Sequence, residues 1–178
     1  MMDCCNKKKK EYTKTVEMTF HREALLYDIK NYAYIEGHVM GEEKQHAQHT
    51  LVDIGEEGNV DRVTRVLDLA FAECIEFCYP YSKVPVNERN QICDVLDDGS
   101  EGYVMELKVP DDFSQTTVLL LERMIHEYMV CKVLWDWLSI TNPESAAGWA
   151  LKAEQAKKEI EGCKYTNKRV FTRQPHPW

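Results

Sequence analysis

The sequence predicts a mainly α-helical protein: a bundle of about four helices with a small β-hairpin inserted and extended arms at both ends. Three observations carry this. Apolar residues recur at three- and four-residue intervals over several long segments, two short apolar runs flank an Asp- and Gly-rich turn, and both ends are basic.

A chain of 178 residues has the length of one domain, and at that size folding buries roughly 70% of the surface the unfolded chain exposes. The core therefore needs no disulfide or metal staple. The seven cysteines are odd in number and irregularly spaced, which predicts free thiols. A mean hydropathy of -0.49 and the lack of any run of ~20 apolar residues argue against a membrane span. The N-terminal residues, Met1 to Asn6 and then Lys7 to Lys10, have no apolar core of a secretory signal, so a cytoplasmic chain is expected.

Charge is divided unevenly. Of the net -8, residues 1–14 contribute +3 (five Lys against Asp3 and Glu11) and residues 164–178 contribute +4 (Lys164, Lys168, Arg169, Arg173), which leaves -15 for the body between them. An acidic body repels nucleic acid, whose binding rests on phosphate neutralisation. Basic tails on such a body suit acidic protein surfaces.

Along the chain, residues 12–20 alternate loosely and read as a short strand or an extended arm. A first helix is expected over 21–40 from Leu25, Leu26, Ile29, Tyr32, Ala33 and Val39, ending near Gly37 or Gly41. Residues 41–58 are polar and read mainly as a connection with room for a short helix. Asn59 is the expected N-cap of the next helix, with Asp61 in its first turn. Val60, Val63, Leu67, Ala70, Cys74, Phe77 and Cys78 form its apolar stripe, and Pro80 ends it. Residues 81–91 read as loop. Residues 92–96, a turn over 97–102 and residues 103–109 read as the hairpin, which Pro110 closes. Ser114 caps a long helix to about residue 140 whose apolar residues cover more than half its circumference, so it should be central. Trp135 and Trp137 must point to different sides of it. Asn142 and Pro143 start a last helix with a thin seam of Ala146, Ala147, Ala150, Ala153, Ala156 and Ile160, and Gly162 is placed to end it. Three parts result: a basic arm over 1–20, a helical domain over 21–162, and a basic tail over 163–178.

Four constellations were weighed for chemistry, and none of the P-loop, dinucleotide, nucleophile-elbow or HExxH patterns is present. Glu73 and Glu76, one helical turn apart, with Asp94 and Asp97 could hold Mg²⁺ for pyrophosphate hydrolysis, a pattern that resembles the all-α nucleoside triphosphate pyrophosphohydrolases. The blander reading is a solvated acidic face. His46 and His49 beside Glu42 and Glu43, or Glu122 with His126, lack the ligand count of a metal site. Cys74 and Cys78 lie on an apolar stripe and read as core. Cys4 and Cys5 before four lysines read as a solubilising tail, with an acyl-plus-basic membrane anchor as the alternative. No cofactor or metal is expected. The tail residues Lys168, Arg169, Phe171, Arg173 and Trp178 combine cations with aromatics, a composition that anchors to a partner surface.

The run Leu26-Tyr27-Asp28-Ile29-Lys30-Asn31-Tyr32-Ala33-Tyr34-Ile35-Glu36-Gly37, then the helix from Asn59 to Cys78 with Tyr79-Pro80-Tyr81, then Val109-Pro110-Asp111-Asp112-Phe113 through Tyr128 and Trp135, resembles the head-tail connector proteins of tailed bacteriophages. His126-Glu127-Tyr128 and Trp137-Leu138-Ser139-Ile140-Thr141-Asn142-Pro143 are similar to phage or prophage proteins of gut Bacteroidales. The resemblance spans about residues 24–160. It implies a structural virion protein, not an enzyme, assembled in the bacterial cytoplasm and located at the neck. It further implies a homo-oligomeric ring of dodecameric type, with portal and other neck or tail proteins as partners. DNA would pass through without sequence-specific binding, and no membrane would be involved. The longer polar linker, the hairpin and the Ala-rich last helix depart from that pattern and leave room for a different neck or tail-completion role.

Overall fold

The computed structural model describes residues 14–39, 45–86 and 102–165. In chain order the elements are strand β1 (Lys14–His21), helix α1 (Arg22–Val39), helix α2 (Gln45–Val52), a 3-10 turn (Asp53–Gly55), helix α3 (Glu57–Phe77), strand β2 (Gly102–Val109), helix α4 (Gln115–Thr141) and helix α5 (Pro143–Tyr165). The expected mainly α class with a small antiparallel β element is what the chain adopts.

Helix α4 is the centre. Met129, Val130 and Cys131 are consecutive and all buried, so it is covered on more than one side, by α1, α2, α3 and α5. Leu121, Ile125, Leu134 and Leu138 complete its contribution to the core. It starts at the expected Ser114, though through that residue's backbone carbonyl and not its hydroxyl. Helix α5 lies along α4 on a small-residue seam. Ala146, Ala153 and Ala156 are buried with Trp149 and Ile160, and the small side chains let the two helices approach closely. Asn142 holds the corner, its side-chain amide donating to Ser145 Oγ at 3.0 Å.

Two boundaries differ from expectation. Gly162 does not end α5, which continues to Tyr165; burial of Cys163 against the body holds the last turn. Asn59 is not the cap of α3, which starts two residues earlier after Glu56. Its side-chain amide instead donates to the carbonyl of Asp53 at 2.9 Å, tying the 3-10 turn to the helix. Helix α1 ends as expected between its two glycines, at Val39, with Gly37 buried inside it. The polar connection does contain a helix, α2, anchored by buried Leu51.

Strands β1 and β2 pair antiparallel from Lys14 opposite Val109 to His21 opposite Gly102. The period-2 alternation of a strand puts Met18 and Phe20 on one face with Tyr103, Met105, Leu107 and Val109, all buried. So the strand expected at 103–109 exists, but its described partner is β1. The apolar face of β1 needs a neighbour to bury it, and pairing with β2 provides one. The other expected hairpin arm, residues 92–96, lies outside the described residues. Gly102 sits where an added Cβ would stand 2.5 Å from the Phe20 carbonyl oxygen, so the strand end tolerates only glycine without moving. The folded body thus takes in residues 14–20, expected as part of an arm, and reaches past 162 at the other end.

Candidate functional site

Helix α3 turns Glu73 toward α4. There Tyr128 donates its hydroxyl to Glu73 Oε2 at 2.5 Å, and Lys132 Nζ donates to Oε1 at 3.2 Å while standing 3.0 Å from Oε2. Both carboxylate oxygens are occupied. The Lys132 ammonium also lies 5.1 Å from the Trp135 ring and 5.9 Å from that of Tyr128, a cation-π arrangement that fixes it further. Burial, then the bond to Glu73, pushes the Tyr128 phenol well above its ordinary range, so it stays a donor. Glu76, one turn on, is exposed to solvent. Asp94 and Asp97 lie outside the described residues. Among the described residues no three His, Cys, Asp or Glu side chains are grouped closely enough to hold a metal ion.

A cleft of about 510 Å³ opens where the end of β1, the start of α1 and the first half of α4 meet. Phe20, Ala24 and Met124 line it with Asp28, Glu122 and Glu127. Arg123, His21 and His126 are also on its wall. Asp28 and His126 face each other at 2.9 Å. Cys131 Sγ donates to Glu127 at 3.6 Å. The field is negative: the charge on Glu127, then burial, then the charge on Asp28 raises the Tyr32 phenol. Such a concavity suits a cationic group with an apolar stem. The sequence reading weighed Glu122 with His126 but missed Asp28, because the pairing is made by packing α1 on α4 and leaves no local spacing signal.

The outward side of α1, away from its buried stripe, presents aromatics next to the cleft. Leu25, Ile29, Ala33 and Gly37 face inward, so Tyr27 and Tyr34, seven residues apart, point outward and are 71% and 51% exposed. His38 stacks on Tyr34 at 4.2 Å between centroids, and Ile35 beside them is half exposed.

Both basic tails leave the body at one pole. Lys14 Nζ donates to the Asp111 carbonyl at 2.8 Å. Thr15 stands opposite Lys108, whose backbone N–H donates to the Tyr81 carbonyl at 2.8 Å. Tyr81 in turn donates its hydroxyl to the Lys164 carbonyl at 3.3 Å, and Lys164 Nζ donates to the Tyr79 carbonyl at 3.2 Å. Tyr81 is therefore buried between the two exits and stacks edge-on against Phe113 at 5.5 Å, although its segment reads as loop. The docking residues Lys168, Arg169, Phe171, Arg173 and Trp178 lie outside the described residues, as do Cys4, Cys5 and Lys7 to Lys10.

Of the remaining candidates, His49 is exposed, and the side chain of His46 lies outside what is described. Cys74, Cys78, Cys131 and Cys163 are buried free thiols, with Cys74 and Cys78 in the core as their stripe implies. Among the described residues no helix is long and apolar enough to cross a membrane. Compared with protein families, curated proteins and solved structures, the chain matches none.

Proposed function

We propose that this chain is a structural assembly subunit of the head-tail connector kind that it resembles. It works by packing against further copies and against portal and neck proteins, in a ring through which DNA passes. The observation that carries the reading is the outward face of α1. The helix at the start of the resemblance satisfies the core with small and aliphatic residues, yet presents Tyr27, Tyr34 and Ile35 to solvent. Large aromatics on an exposed helical stripe are the residues that anchor protein interfaces. The acidic body favours the same reading, since a wall of like charge to phosphate lets DNA slide without holding it.

The test is assembly. The purified full chain, alone and co-expressed with a portal protein, is followed by light scattering and negative-stain electron microscopy. Rings or portal-bound complexes are expected. A chain that remains monomeric at every concentration and ignores the portal overturns the reading.

A further inference from the structure

We infer that the cleft between α1 and α4 is a receptor for the basic C-terminal tail of a second copy of this chain, so that copies join head to tail. The inference rests on the assembly reading and names the contact that drives it.

Three observations lead here. The first is the make-up of the cleft. It sets Asp28, Glu122 and Glu127 against Arg123, His21 and His126, over an apolar lining of Phe20, Ala24 and Met124, and His126 is the partner of Asp28 at 2.9 Å. Among the described residues neither Glu122 nor Glu127 forms an ion pair, and Glu127 accepts a weak bond from Cys131. Half-buried carboxylates without a counter-charge favour an incoming Lys or Arg.

The second is the composition of the segment that ends the chain. Residues 166–178 hold Lys168, Arg169 and Arg173 with no acid, and interleave Phe171 and Trp178. An arginine pairs with carboxylates through its planar fork while an aromatic fills the apolar concavity. The cleft volume of about 510 Å³ accommodates one such ring with an arginine stem beside it.

The third is the placement of the two parts. The two ends of the described chain lie at the pole around Tyr81, whereas the cleft begins at Thr19, five residues along β1 from Lys14, about 17 Å away. The basic segments are thus joined to the body at one pole, and the concavity that holds Glu122 and Glu127 lies away from it. Identical bodies with that polarity attract when the pole of one meets the cleft of the next, and a contact of this heterologous type repeats into a ring or a filament. The thirteen residues beyond Tyr165, extended at about 3.4 Å each, reach about 44 Å, enough to cross to a neighbouring body.

The experiment uses the full chain in equal mixtures of light and ¹⁵N-labelled protein. A zero-length carbodiimide reagent, which joins lysine to carboxylate, is expected to link Lys168 to Glu122 or Glu127 in mixed-isotope pairs. Sedimentation is expected to show association that weakens at least about tenfold between about 0.05 and about 0.5 M NaCl. It should fall by a similar factor in Arg169→Glu/Arg173→Glu and in Glu122→Arg, and recover when Glu122→Arg is combined with Arg173→Glu. Circular dichroism of each variant confirms the fold. Crosslinks confined to same-isotope pairs mean that the tail folds onto its own body and overturn the proposal. So does association at full strength in the tail variant, which leaves the assembly reading intact. Binding of the tail to double-stranded DNA with no mixed-isotope link also overturns it. A chain monomeric in every form overturns both proposals together.

Discussion

Tyr128 donates its phenolic hydrogen to Glu73 across the interface between α3 and α4, at 2.5 Å. Lys132 completes the charge balance on the same carboxylate, so the one acidic side chain that the sequence offers as a metal ligand on the inner side of α3 is neutralised by protein. Tyr128→Phe keeps the edge-on contact with Phe77 at 5.3 Å and removes only the hydroxyl. We expect it to lower unfolding free energy in urea by about 1.5 kcal/mol, the contribution of a hydrogen bond to a charged group. Lys132→Met, which breaks a partly exposed ion pair, is expected to lower it by about 1 kcal/mol or less. Equal stability of Tyr128→Phe and the parent would show that the pair does not hold the helices together. In line with the occupied carboxylate, millimolar Mg²⁺ should leave the melting temperature of the parent unchanged; an increase that Glu73→Gln abolishes would favour the pyrophosphohydrolase reading instead.

A buried bond ties the short helix α2 to α4, from Trp137 Nε1 to the Leu51 carbonyl at 3.0 Å. Trp137→Phe leaves that carbonyl buried without its donor and opens space beside it. The expected loss is about 2–3 kcal/mol. Hydrogen exchange in α2 should rise more than in α4 or α5, because local opening releases this segment first. Uniform acceleration across all helices would contradict the assignment of Trp137 as a local anchor.

The buried thiols give a pH dependence with a definite sign. Burial pushes Cys78 and Cys131 up to about 12 from an ordinary value of 9.0, and raises Cys74 and Cys163 as well. Below pH 9 folded and unfolded chains both keep the thiol protons, so these groups leave stability unchanged with pH. Above pH 9 the unfolded chain ionises while the folded one does not, and stability falls as pH rises toward 12. Each such thiol removes up to about 1.4 kcal/mol per pH unit in that window. Denaturation from pH 8 to pH 11 should show the fall, and Cys78→Ala/Cys131→Ala should flatten it even though both variants cost core packing. A slope unaltered by the double substitution would assign the effect to other groups.

How much of this could be read from the sequence follows the range of each signal. The stripe from Val60 through Cys78, the all-round apolarity of α4 and the alanine seam of α5 are local patterns, and each became a helix, although in the seam Ala147 is exposed while Ala146, Ala153, Ala156 and Ile160 face inward. The contrast between Trp135, 39% exposed, and buried Trp137 also follows from their being two positions apart on one helix. What local pattern could not supply was pairing at a distance: β2 with β1, Asp28 with His126, and Tyr81 with both tail exits. Tyr81 read as loop because its neighbours are polar. Only the fold brings Lys108, Phe113 and Lys164 around it. The outward placement of Tyr27 and Tyr34 was available from the helical period once the inward stripe of Leu25, Ile29 and Ala33 was known.

That outward stripe separates stability from assembly. Tyr27 and Tyr34 are exposed and lie opposite the buried face of α1, so Tyr27→Ser/Tyr34→Ser should change unfolding free energy by no more than about 0.5 kcal/mol per site, as for surface positions elsewhere. The same pair, as interface anchors, should weaken assembly or portal binding by about 2 kcal/mol or more, a factor of about 30 in the dissociation constant. Urea denaturation and sedimentation of one protein preparation measure both quantities. Loss of stability with unchanged assembly would make the tyrosines part of the fold. Loss of assembly with unchanged stability is the outcome that a docking helix requires, because tyrosines left half or more exposed among the described residues gain further burial from another chain.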